Sequence, residues 1–179
     1  VTLAVSPTLQ AVYTKLRALV LAVVPANVEV VQGIDNRVPA PPRDPGYVVM
    51  TAVLEQRLRT NVGVYDDPNI IPNDGTLALE QGTRLTVQLD CYGAAAGDWA
   101  AQLSTVLRNE YAVDALAPDC APLYADEPRL DPFVAGERQF EQRWIVGAVL
   151  QYNPRTVTPQ QFADTLNVEL IEVDEAYPP

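Results

Sequence analysis

The sequence contains no histidine. That removes the side chain most often used as a general base near neutral pH, and the commonest nitrogen ligand for metals. Serine occurs at Ser6 and Ser104 alone. Ser6 reads as a helix cap and Ser104 as a helix residue, so neither has the look of an activated nucleophile. The two cysteines, Cys91 and Cys120, lie 29 residues apart, which matches no metal-ligand spacing and makes no disulfide framework. They could pair, but buried or free thiols in a reducing cytoplasm are the expectation. The glycines form no phosphate cradle. No run approaches the ~18 consecutive apolar residues of a membrane span. The longest, Ala18 to Val24, lies inside an ordinary helix pattern. No basic stretch followed by an apolar segment and a cleavage site opens the chain, so no signal peptide is expected.

Positive charge is also scarce: 12 Lys and Arg stand against 23 Asp and Glu, for a formal net charge of −11. A generic nucleic-acid binder needs cations to displace counterions from phosphates. A surface past which DNA slides is a different case, because it does better to repel phosphate than to hold it. Among so many carboxylates chance pairs are certain, yet none has the context of an acid/base pair. Asp66-Asp67 and Asn73-Asp74 read as turn chemistry rather than as a weak cation site. No catalytic residue, cofactor or metal is therefore expected, and the chain does not read as an enzyme.

What is present suits one folded domain over residues 1–179, with 48% apolar residues. Leu9, Val12, Tyr13, Leu16, Leu19, Val20 and Val23 recur at three- and four-residue steps, predicting a helix from about Pro7 to Val24. Val28 to Val31 predicts a short strand. Tyr47 to Leu54 and Arg57 to Tyr65 predict one β ribbon broken near Val53-Leu54-Glu55. The turn residues from Asp66 to Thr76 then make Arg57 to Val87 a long hairpin. Its outer part has too few apolar residues for a core of its own and is expected to pack on another subunit. Leu85, Val87, Leu89 and Cys91 alternate with polar residues, predicting a half-buried strand. Asp98 reads as the N-cap of a second helix running to about Ala112, with Leu103, Val106, Leu107 and Tyr111 on its stripe. Leu123-Tyr124 predicts a short strand, and Arg138 to Tyr152 a long central one with Phe140 and Trp144 in the core. Pro154 and Pro159 bracket a polar connection. Phe162 to Leu166 reads as a helical turn, and Val168 to Val173 as a strand leading into a C-terminal arm that ends Tyr177-Pro178-Pro179. The expected fold class is α+β: an antiparallel or mixed sheet with two helices on one face, a projecting hairpin and an extended arm. The other sheet face is left partly apolar and in need of cover.

Sixteen prolines, clustered in linkers, add rigid loops. Arg57 and Arg59 share a ribbon face, with Arg84 across from them, either as a solvated edge or as partners for an acidic neighbour. Phe133, in the Pro132-Phe133-Val134 loop, is a candidate contact.

Three segments carry a resemblance to a known family. The first is Tyr47-Val48-Val49-Met50-Thr51 with Arg57-Leu58-Arg59-Thr60-Asn61 and Tyr65. The second is Val87-Gln88-Leu89-Asp90-Cys91-Tyr92-Gly93 running on to Asp98-Trp99-Ala100 and Leu107-Arg108-Asn109-Glu110-Tyr111. The third runs from Leu123-Tyr124-Ala125-Asp126 through Phe133 to Gln142-Arg143-Trp144 and Gln151-Tyr152-Asn153-Pro154. In this order they resemble the tail terminator (neck terminator) proteins of tailed bacteriophages.

The resemblance implies a structural virion protein, without catalysis, of the tail or neck, assembled in the host cytoplasm. It implies a homo-hexameric ring that caps the head-proximal end of the tail tube, anchors the sheath protein where the tail is contractile, and docks to a neck connector or stopper protein. Viral DNA passes through the lumen without specific binding, and no membrane is involved. Another head-tail joining protein, such as a stopper or head-completion protein, is the alternative. A ring of this kind uses one patch against a different patch of the next copy, and strand addition satisfies exposed edges. Arg57, Arg59, Phe133, Val168, Leu170, Ile171 and Tyr177 are the expected interface residues.

Overall fold

The computed structural model describes residues 3–34, 41–67, 75–134 and 140–161. In chain order the first half holds β1 (Val5–Ser6), α1 (Leu9–Val23), β2 (Glu29–Gln32), β3 (Tyr47–Arg57), β4 (Val62–Asp66), β5 (Gly75–Glu80) and β6 (Thr83–Tyr92). The second half holds α2 (Ala96–Leu107), α3 (Glu110–Leu116), β7 (Ala121–Ala125), β8 (Arg129–Leu130), β9 (Phe133–Val134), β10 (Phe140–Glu141), β11 (Arg143–Tyr152) and β12 (Arg155–Gln160). The fold is α+β, with the helices packed on one face of a mixed sheet.

The main sheet has the order β2-β3-β6-β11-β7, and β8 also pairs with β11. Only β2 with β3 is parallel; every other pair in this sheet is antiparallel. Leu85, Val87, Leu89 and Cys91 of β6 stand opposite Leu150, Ala148, Val146 and Trp144 of β11. All but Trp144 are buried, and with Val48 and Met50 of β3 they form the sheet's inner face. Against it pack Val12, Leu16, Leu19 and Val20 of α1, Trp99, Ala100, Leu103 and Leu107 of α2, and Ala112 and Leu116 of α3, in one hydrophobic cluster. Each fully buried leucine or valine here contributes about 2 kcal/mol, so the covered half of the sheet holds most of the fold's stabilisation.

β3, β6 and β11 do not end where the helices end. At one level they cross a crease, at residues 58–61, 81–82 and 153–154, and continue as β4, β5 and β12. The β6–β11 register runs through, with Thr83 opposite Tyr152 above the crease and Glu80 opposite Arg155 below it; on the β3 side residues 58–61 cross opposite only 81–82, so the register shifts by two between Arg57–Thr83 and Val62–Glu80. Leu58 N–H to Gly82 O (2.9 Å) and Gln81 N–H to Pro154 O (3.0 Å) bridge the gap. With β1 added beside β12, the continuation is a four-stranded distal sheet in the order β1-β12-β5-β4.

Several expectations meet this structure differently. Helix α1 starts at Leu9, and Thr8, not Ser6, is its cap, accepting from Ala11 N–H (3.1 Å); Ser6 pairs with Arg155 instead. Helix α2 starts at Ala96, so Asp98 lies in its first turn, where its charge still suits the dipole, and no side chain caps it. The predicted second helix is two. Asn109 caps α3 by accepting from Tyr111 N–H (3.0 Å), which turns Tyr111 outward, while Arg108 leaves α2 to grip Ala125 O and Glu127. Near Val53 the ribbon bulges without breaking, and its break lies at residues 58–61. The predicted connection between Pro154 and Pro159 is strand β12, whose Thr156-Val157-Thr158 favours extension and whose Pro159 is tolerated near a sheet rim. The predicted helical turn 162–166 and the C-terminal strand and arm lie outside the described residues.

Gly46 and Gly93 meet where β3 begins and β6 ends, at φ +116° and +124°. A Cβ on Gly46 would stand 2.2 Å from Tyr92 O and 3.1 Å from Gly93 Cα. Both obstacles are backbone, so they cannot swing aside. Gly46→Ala is expected to destabilise the protein by roughly 2–4 kcal/mol, read as a lowered urea midpoint. An unchanged midpoint would refute the close approach.

Candidate assembly surfaces

Three features of the sheet stand outside the core, and each follows from how a neighbouring element stops short. The first is the outer rim of β3. β2 pairs with it only over Tyr47 to Met50, and Gly33 N–H closes the pairing on Met50 O (2.8 Å). Tyr13 of α1 then accepts the next outward donor, Ala52 N–H (2.7 Å). Beyond that point a bulge at Val53 adds a residue, and both Val53 (60% exposed) and Leu54 (52%) face solvent. All five residues of β4 continue this exposed rim past the crease. Among the described residues no strand lies outside Val53–Arg57 or β4.

The second feature is the distal sheet. No described helix covers either of its faces. Val62, Val64 and Val157 are exposed on one face and Tyr65 and Val5 on the other, while Ala78 is buried between its strand neighbours. A sheet must bury a face to contribute a core, and this one exposes apolar side chains on both.

The third is the helix-free face of the main sheet. Its most enclosed charged group is Asp90, opposite Ile145 on β11. Gln88 Nε2 donates to both Asp90 oxygens (2.8 and 3.0 Å), and Arg143 Nε donates to Oδ1 (3.0 Å). Asp131 lies 3.7 Å from Arg143 Nη1. Although burial works to lower it, the Arg143 pKa rises on balance, through its hydrogen bond and charge attraction to Asp90. Farther along, Arg84 reaches across β11, donates to the Tyr124 hydroxyl and lies over the Tyr124 ring, 5.4 Å from its centroid. Tyr47 and Tyr92 stack at 4.7 Å. The face is thus a mixed polar and aromatic surface whose buried carboxylate, Asp90, is paired with Arg143.

The sequence-predicted residues separate on this frame. Arg57 donates to Gln81 Oε1 (3.1 Å), and Arg59 pairs with Glu80 (2.7 Å) while its side chain lies over Gly82. Both arginines bind the crease within the chain. Arg84 lies on the opposite sheet face from Arg57, because Arg57 opposes Thr83 and Arg84 opposes Gln56, so the expected cluster of three does not form. Phe133 belongs to β9, opposite Glu141 of β10. Val168, Leu170, Ile171 and Tyr177 lie outside the described residues. The short strand predicted at Leu123-Tyr124 is β7, but sequence reasoning assigned neither its edge nor the Val53-Leu54 rim to an assembly surface. Their signal was adjacent apolar residues, which alternation cannot place on one face.

Cys91 and Cys120 are free and buried. Burial, reinforced by Asp90, pushes the Cys91 thiol up to about 12. Burial, then Asp119, pushes Cys120 up to about 11. Among the described residues no group of three His, Cys, Asp or Glu could hold a metal. No described helix is long and apolar enough to cross a membrane.

Compared with known families, residues 10–175 match the one described as phage neck terminator protein. No curated protein matches the chain.

Two measurements follow from these groups. Arg143→Ala strands the Asp90 carboxylate and is expected to cost about 3 kcal/mol in urea unfolding, with Asp90→Asn recovering part of the loss in the double variant. Additive losses would show that the pair is uncoupled. Both thiols stay protonated in the folded chain, whereas the unfolded chain ionises them near pH ~8.5. Stability is therefore expected to fall as pH rises from about 9 toward 11, by up to about 1.4 kcal/mol per pH unit for each thiol. Replacing both cysteines with alanine is expected to flatten that decline; an unaltered decline would assign it to other groups.

Proposed function

This chain belongs to the phage neck terminator family, and on that footing we propose that six copies close into a ring that caps the head-proximal end of the tail tube. The observation that carries the reading is the family match over residues 10–175. The protein is a structural component of the phage tail or neck; the finer assignment gives it the tube protein below, a connector or stopper protein above and, in a contractile tail, the sheath protein around it. Viral DNA passes through the lumen. Each copy brings a formal charge of −11, and a ring of such copies discourages phosphate from lodging in the passage. Assembly takes place in the host cytoplasm.

The distal sheet, which no described helix covers, supports the ring, since exposed apolar faces on a projecting element find cover in a neighbouring molecule. A cyclic ring needs two different patches on one chain. Arg57 and Arg59 contribute by fixing the angle of the crease, and so the direction in which β4 and β5 project. Phe133 and the arm carrying Val168, Leu170, Ile171 and Tyr177 contribute further contacts to the ring or the tube.

Native mass spectrometry of the purified 19.5 kDa chain is expected to give a hexamer. Phage grown without the protein is expected to accumulate overlong tubes in negative stain. Normal-length tails that merely fail to join heads would point to a stopper role instead. Arg57→Ala with Arg59→Ala is expected to weaken hexamer formation, and an unaltered hexamer with normally capped tails would show that these crease contacts do not contribute to the ring.

A further inference from the structure

The two sides of this molecule are matched strand edges, and we propose that the ring closes by β-strand addition: the β3–β4 rim of one copy pairs with the β7–β1 rim of the next, making the sheet continuous around the ring. The inference rests on the ring reading above and specifies its contact.

Four observations carry it. First, among the described residues neither rim has a neighbour, and they lie on opposite sides of both sheets, the β3 rim being the part of β3 that β2 leaves unpaired beyond Met50. Second, they stand at the same height. Leu54, Thr86, Val149 and Tyr124 form one row across the main sheet, and Gln56, Arg84, Gln151 and Ala121 form another. Below the crease, Val62, Glu80, Arg155 and Ser6 form a row of the distal sheet. Each rim therefore has an upper part and a lower part, divided at the same crease.

Third, the strand directions fit. β7 is antiparallel to β11, and β3 runs with β11, so β7 of one copy meets β3 of another in the antiparallel sense. The same holds for β1 against β4. Fourth, both rims are apolar where a free edge is normally guarded. Val53, Leu54, Val62 and Val64 are exposed on one, and Val5, Leu123 and Tyr124 on the other. Natural edges are blunted by lysine or inward charge. The sole lysine, Lys15, lies on α1 and donates to Ala117 O, while Glu55 on the β3 rim accepts from Tyr152 and Arg57 turns to Gln81.

Both rims also carry a bulge, at Val53 and at Leu123. Bulges twist an edge and re-aim a side chain. Pro122 offers no N–H, so that position of the β7 rim contributes no donor. Because the two rims differ, the contact is heterologous, and rotation rather than a two-fold axis relates the copies. A sheet that closes on itself has no edge left to aggregate.

The test uses full-length chain with engineered cysteines, since Cys91 and Cys120 are buried. Leu54→Cys is combined in turn with Ala121→Cys, Leu123→Cys and Tyr124→Cys, and each is oxidised after its native mass is recorded. At least one combination is expected to give a covalent ladder reaching the full ring, while Leu54→Cys alone gives none. Separately, Leu54→Lys with Val64→Lys guards the rim at exposed positions, and is expected to abolish the hexamer while leaving circular dichroism and the urea midpoint unchanged. A hexamer that yields no ladder in any combination, or that survives the double lysine variant, overturns the edge pairing and leaves the ring reading standing. Dimers from Leu54→Cys alone would show a two-fold contact and overturn it too. A wild-type chain that stays monomeric at cross-linking concentrations and does not cap tubes removes the ring itself.

Discussion

Main-chain hydrogen bonding along three strands decides where everything else lies. β3, β6 and β11 are rooted under the helices, and the ladder they begin there is carried across the crease into β4, β5 and β12. Every backbone group taken from water must find a partner. Extending an existing ladder meets that demand for the inner strands without a second core. It also creates the problem the molecule presents: a distal sheet paired along its length yet covered on neither face by a described helix. Stability comes from the covered half and exposure from the other, and the crease joins the two.

The helices set the limits of that exposure. α1 supplies both core residues and the Tyr13 hydroxyl that takes Ala52 N–H where β2 gives out. α2 ends in Arg108, whose guanidinium holds Ala125 O and Glu127 and so anchors the end of β7. One rim is thus satisfied up to a defined residue, and the other is fixed in place from behind. The buried Asp90–Arg143 pair does comparable work on the open face, because Gln88 and Arg143 together meet a carboxylate that the fold has largely removed from water.

Legibility in the sequence followed the range of the forces. The β6 pattern Leu85, Val87, Leu89, Cys91 and the α1 stripe were readable because alternation and helical spacing are local and a single core decides them. The family was readable from the order of three segments, and the match over residues 10–175 agrees with it. The division of the second helix was hidden, because Leu107 and Tyr111 keep a helical step while the Asn109 cap and the hold of Arg108 on β7 are tertiary facts. β12 was hidden behind Pro154 and Pro159, which read as breakers until β5 is found beside them. Of the candidate site, Arg57 and Arg59 were noticed but their partners Gln81 and Glu80 were not, since those meet only through the turn of the hairpin. The rim at Val53-Leu54 escaped because its exposure depends on β2 being four residues long.

The burial of both thiols has a bearing on life outside the cell. A phage particle leaves a reducing interior for aerated water, where an accessible thiolate would be oxidised or would couple to a neighbouring copy. Cys91 sits beneath the helices in the central strand and Cys120 behind α3, and both remain in the unreactive protonated form at any ordinary pH. A structural component of the tail or neck thereby keeps its two thiols unchanged through a change of redox surroundings.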